Sequence, residues 1–213
     1  MDPRCGSLVR HILASTHQIL FSASGMPKPK ARSNVSNVSN FLLLQLLNSA
    51  ALLLLAQGIL VLQPTQTAEQ KRTGTYIHAA FNGLALACFI AALTMIQIHK
   101  FTAGYAHFES PHSILGLITY IFVILQALWG GAQFFAPGIF GGEEKAKKVY
   151  KYHRWNGYVV FTLGLATVCA ATQTTYSKHV LHIQLWAVIV ASVITLAGLL
   201  PRIKKQKMVA NDV

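Results

Sequence analysis

Five stretches of the chain run without Asp, Glu, Lys or Arg: Phe41 to Leu62, Tyr76 to Ile98, His112 to Phe135, Trp155 to Tyr176 and His179 to Leu200. A bilayer core is spanned by about 20 residues of helix. None of these runs alternates polar and apolar positions as a barrel strand would. Backbone groups in hydrocarbon must be satisfied within their own element, which leaves helices as the spanning form. The pattern therefore predicts an all-α integral membrane bundle with five transmembrane helices. It divides the chain into an irregular or disordered segment over 1–40, a transmembrane domain over 41–200 and a basic tail over 201–213.

Composition agrees: 53% of residues are hydrophobic and 11% charged, with a mean hydropathy of +0.45. The net charge of +12 resembles a nucleic-acid signature until its distribution is read. Lys71 and Arg72 follow the first span, Lys145, Lys147, Lys148, Lys151 and Arg154 follow the third, and Arg202, Lys204, Lys205 and Lys207 follow the fifth. The intervening loops hold only Lys100 and Lys178. By the positive-inside rule the cation-rich loops and the C-terminus are cytoplasmic, and nucleic acid is an unnecessary partner. The lipid bilayer is the partner that composition demands. Cys5, Cys88 and Cys169 form no CxxC pair and read as small hydrophobes, with no disulfide or zinc site expected.

The same topology makes the amino-terminal segment discordant, because five spans with an inside C-terminus place Arg4, Arg10, Lys28, Lys30 and Arg32 outside. The stretch from Leu8 to Phe21 is interrupted by Arg10, His11 and His17 and is neither a good signal-peptide core nor a span. Asn34-Val-Ser and Asn37-Val-Ser are formal glycosylation sequons in a run that reads as a linker. An initial helix missing from this chain is the expectation that resolves the conflict.

Three histidines carry candidate chemistry. His78 opens the second uncharged stretch, His112 opens the third and His153 just precedes the fourth. Ligating side chains in membranes are costly and usually functional, whereas a lone histidine at a helix end is commonly an interfacial anchor. That plainer reading is kept for His99, His107, His179 and His182. Topology puts His78 and His153 at the inner level and His112 at the outer level, roughly 20 to 30 Å away by helix rise and bilayer thickness. In His112-Ser-Ile-Leu-Gly116 and His153-Arg-Trp-Asn-Gly157 a glycine shares the imidazole's helix face four residues on and leaves room for a flat macrocycle. For His78 the nearest equivalent, Gly83, lies off that face. Paired imidazoles would fill both axial positions of a haem iron, giving an electron-transfer centre with no open site for oxygen. Lys71, Arg72, Lys148 and Lys151 serve either as a topology signal or as a docking site for an anionic reductant beside the haem.

These residues carry a family resemblance. Arg72-Thr-Gly-Thr-Tyr-Ile-His78, His107-Phe-Glu-Ser-Pro-His112-Ser-Ile-Leu-Gly116 and Tyr150-Lys-Tyr-His153-Arg-Trp-Asn-Gly157 resemble the transmembrane cytochrome b561 family over Lys71 to Thr175. The resemblance implies a four-helix haem-binding core, two b-type haems near opposite faces, and electron flow from cytoplasmic ascorbate to monodehydroascorbate or a ferric chelate. It implies an ascorbate-dependent oxidoreductase of the ferrireductase type. Carried over by position, His78 and His153 are the axial ligands of the iron in the cytoplasmic-side haem b, and His112 is one ligand of the opposite haem. Lys71, Arg72, Lys148, Lys151 and Tyr152 fall in the family's ascorbate-binding surface. No residue is assigned a catalytic role of its own, and a second copy of the chain is left open as a partner.

The resemblance also implies a fourth histidine near the outer end of the first span, where this chain reads Phe41-Leu-Leu-Leu-Gln45, with no histidine between His17 and His78. One altered start would account for both this gap and the missing helix. His112 then lacks a partner, recruits His182 or another outer histidine, or holds a haem alone, and the outer haem is the doubtful one. Two other classes stay open: a membrane anchor subunit, or a defective variant, whose haem only stabilises the bundle, and a transporter with interfacial histidines and no cofactor.

Overall fold

The computed structural model describes residues 34–199, and the expectations for the leader and the basic tail lie outside them. Among the described residues there are five α-helices and no strand: α1 (Asn34–Val61), α2 (Ala68–Ala103), α3 (Pro111–Phe135), α4 (Glu143–Ala171) and α5 (Leu185–Leu199). The protein is thus an all-α membrane bundle. Ser39–Val61, Ala68–Ala103 and Pro111–Phe135 are each long and apolar enough to cross a membrane.

Capping chemistry sets the boundaries more than charge does. The α2 helix starts at Ala68 because Thr67 and Gln70 form a reciprocal capping box, so the helix runs straight through Lys71 and Arg72. It stops at Gly104, whose φ of 69° is left-handed. Ser110 and Ser113 make the equivalent box for α3, with Pro111 at the first turn. The α4 helix begins behind Gly142 (φ 112°) with Glu143 and Glu144 in its first turn, where acidic residues complement the helix dipole. His78 and His153 therefore lie inside their helices, with the uncharged stretches beginning well after the helices do. The fifth element differs most from expectation. A π-helical turn at Ser177–Leu181 and a left-handed His182 (φ 51°) precede α5, so the regular helix begins at Leu185 and not near His179.

The α3 and α4 helices make the most extensive helix pair. Their facing positions advance by alternating steps of three and four residues, the spacing of a left-handed seam. Large groups meet small ones along it: Gln126 lies over Gly157, His153 over Gly130, and a Cβ on Gly164 would stand 4.0 Å from Thr119 Cγ2. Membrane helices pack closely where small residues let them approach. Halfway along, Ala51, Ala85, Phe89, Val123 and Val160 form an apolar core shared by α1 to α4. A second cluster of Ala56, Phe161 and Leu199 joins α5 to α1 and α4. Many large hydrophobics face outward, such as Leu53 at 67% and Trp186 at 68% exposure. On a soluble protein that surface would be an aggregation hazard, whereas hydrocarbon solvates it.

Candidate functional site

The structure brings His78 and His153 together. Their ring centroids are 6.3 Å apart and the planes cross at 78°. His78 Nδ1 lies 2.7 Å from the Gly58 carbonyl on α1. Such a bond places the proton on Nδ1 and leaves Nε2 as the free, basic nitrogen. The His153 ring packs against α3 at Gly130, where a Cβ would fall 2.5 Å from the ring's Cε1. His153 Nδ1 is buried with no hydrogen-bond partner.

Both backbones carry the same device. The His78 carbonyl accepts a 2.7 Å bond from Asn82 Nδ2, and a Cβ on Gly58 would stand 2.6 Å from that amide nitrogen. The His153 carbonyl accepts a 2.7 Å bond from Gln126 Nε2, and a Cβ on Gly157 would stand 3.0 Å from the same nitrogen. Asn156 Nδ2 donates to Gln126 Oε1 at 2.7 Å, completing the carboxamide. Gly157 thus makes room for an amide from α3, and the space beside the His153 ring comes from Gly130. The i, i+4 rule identifies a shared face but not what occupies it. Gly83 has nothing within 4 Å of a Cβ position and plays no part at the ring.

His112 is elsewhere. Its Nδ1 lies 3.1 Å from the Thr167 carbonyl, and the stretch of α4 from His153 to Thr167 rises about 21 Å. A Cβ on Gly116 would stand 3.8 Å from Thr167 Cγ2, ordinary contact distance. Thr119 and Thr167 share a buried 2.9 Å hydroxyl bond beside it. No second imidazole makes a ring contact with His112 among the described residues. Phe41, in the segment where a partner histidine was expected, stacks on Tyr176 at 4.3 Å and meets His99 edge-on at 4.9 Å.

The basic residues gather at the level of the histidine pair. Lys71 and Arg72 are exposed on α2 ahead of His78, and Lys148 is exposed on α4 ahead of His153. Lys151 Nζ sits 5.3 Å from the centroid of the Tyr152 ring, within cation–π range. Lys147 is held at 3.9 Å from Glu143. Tyr150 Oη donates to the Gln133 carbonyl at 3.4 Å. Burial, reinforced by the Glu143 carboxylate, pushes that phenol above its ordinary range, so it stays a neutral donor.

Sequence reasoning missed Gly58, Asn82, Gln126, Gly130 and Thr167. A usable signal existed for two of them: Asn82 and Gln126 are carboxamides inside otherwise apolar runs, where polar side chains are expected to have partners.

An all-α membrane bundle with imidazoles meeting between its helices is compatible with a haem-binding transmembrane electron-transfer protein, the class that the family match defines. The sequence model of the eukaryotic cytochrome b561 family matches residues 45–178, and the chain belongs to that family. The match takes in α1 from Gln45 onward together with α2, α3 and α4, and implies haem b. No curated protein and no solved structure matches the chain.

Proposed function

We propose that the chain holds haem b between His78 and His153 and passes electrons from cytoplasmic ascorbate toward monodehydroascorbate or a ferric chelate on the opposite side. The observation that carries this reading is the facing pair of rings. Imidazole–metal bonds run about 2.0 Å, so two imidazoles on one iron put their centroids about 6 Å apart, as His78 and His153 are at 6.3 Å. The orphaned Nδ1 of His153 suits a bound group there, and Gly130 gives the ring its room against α3. The donor set is two neutral nitrogens, as axial haem ligation requires.

Haem supplies one-electron redox chemistry when bound. The Gly58 carbonyl fixes the tautomer of His78, while Gly130 gives the His153 ring its place. Lys71, Arg72, Lys148 and Lys151 draw an anionic reductant to this end of the bundle, with Tyr152 beside them. The core around Phe89, Val123 and Val160 keeps water out of the middle of the membrane. His112, oriented by the Thr167 carbonyl, is the candidate ligand of a second haem. The cation-rich loops and the C-terminus face the cytoplasm in this reading.

That no second imidazole contacts His112 among the described residues favours a second reading, in which the His78–His153 haem works without a complete outer centre and the chain is an anchor or a variant without trans-membrane transfer. Ascorbate-loaded liposomes carrying the protein separate the two. External ferric chelate is reduced in the first reading and remains ferric in the second. Within the first, neutralising Lys71 and Lys151 to Gln slows reduction of the haem by ascorbate several-fold, whereas an unchanged rate removes these residues from the docking surface.

A further inference from the structure

Resting on the reading that His153 is a haem ligand, we propose that Gln126 is a positioning residue for it: its carboxamide ties α3 to the His153 backbone and turns the positive end of its dipole toward the imidazole. Gln126 follows Val123, which is buried in the apolar core. A carboxamide in such surroundings is costly unless its donors and acceptor are matched. They are matched by the helix that carries the ligand. Nε2 donates to the His153 carbonyl at 2.7 Å, and Oε1 accepts from Asn156, three residues beyond His153, at 2.7 Å.

The same Nε2 stands 3.5 Å from His153 Nε2, too long for a strong hydrogen bond but close enough for its partial positive charge to act on the ring. Gly157 permits the approach by offering no Cβ. Asn82 makes the equivalent bond to His78 from within α2 itself. Unlike Asn82, Gln126 reaches across a helix interface, so it ties the position of the His153 backbone to the α3–α4 register. Positive charge beside an axial imidazole disfavours the ferric state and raises the midpoint potential. Hydrogen bonds and dipoles around ligands are among the means by which a protein tunes haem.

The test is a redox titration of the full chain, followed by haem absorbance, with electron paramagnetic resonance of the ferric form. Gln126→Leu deletes the amide at similar size, and Gly157→Ala displaces the amide while leaving Gln126 in place. Gln126→Glu keeps the acceptor for Asn156 and replaces the donor with a carboxylate oxygen. Midpoint and g-values are read on the haem-loaded fraction of each variant. The midpoint falls in Gln126→Leu and Gly157→Ala, falls furthest in Gln126→Glu, and the low-spin g-values move with it. If Gln126→Leu does not fold, Gly157→Ala carries the test. Parental midpoint and g-values in these variants, with haem still lost in His153→Ala, overturn the proposal alone. Haem retained in His153→Ala overturns the ligand reading and this inference with it.

Discussion

At one end of the bundle two imidazoles from α2 and α4 face each other at 6.3 Å, each on a backbone carbonyl that accepts a side-chain amide. At the other end His112 also rests its Nδ1 on a carbonyl, that of Thr167, yet no amide clamp or second imidazole stands beside it among the described residues. Helix packing is similar at both levels, because the α3–α4 seam runs through each. The difference is in what the glycines receive. Gly58, Gly130 and Gly157 accept a carboxamide, a ring and a carboxamide, all belonging to the histidine pair. Gly116, near His112, faces a threonine methyl at ordinary distance. What sets the two proposed ligands apart from His112 is how their backbones are held, not their position along a span.

The sharpest way to break this contrast is to fill the glycines. Gly130→Ala places a methyl 2.5 Å from the His153 ring. The ring has to move, and haem content of the purified protein is expected to fall to a small fraction of the parental value. Gly58→Ala is expected to act less strongly. Its Cβ displaces the Asn82 amide from the His78 carbonyl at a cost of about 1–3 kcal/mol, read as a lower thermal midpoint and partial haem loss. Tyr120→Phe removes the 2.9 Å bond to Asn48 that ties α3 to α1 in mid-bundle. Polar contacts of this kind between membrane helices average about 0.6 kcal/mol, so a small drop in unfolding stability with an unchanged haem spectrum is expected. The smallest effect belongs to Gly116→Ala. With 3.8 Å of clearance to its nearest neighbour, stability should stay within about 0.5 kcal/mol of the parent.

Five uncharged runs are enough to read five helices, since hydrocarbon leaves few other options. Their ends are harder to read, because a lysine pair does not stop a helix while Thr67 with Gln70, or a left-handed Gly104, does. The shortened α5 follows from backbone conformation at His182, which no hydropathy pattern records. At the site, the charge pattern put His78 and His153 at one level, and the structure places their rings together. What escaped was the pairing of faces. Gly157 shares a helix face with His153, but its occupant comes from α3, and one sequence does not reveal the α3–α4 register that delivers Gln126 there.

In the proposed site one haem sits between His78 and His153 independently of His112. The most direct test is the reduced-minus-oxidised spectrum of the purified full chain, with a haem-to-protein ratio, for the parent and for His78→Ala, His153→Ala and His112→Ala. The b-type bands are expected in the parent and in His112→Ala, and their loss in each of the other two. Bands that survive in His78→Ala or His153→Ala, or that vanish in His112→Ala, would contradict this placement of the haem.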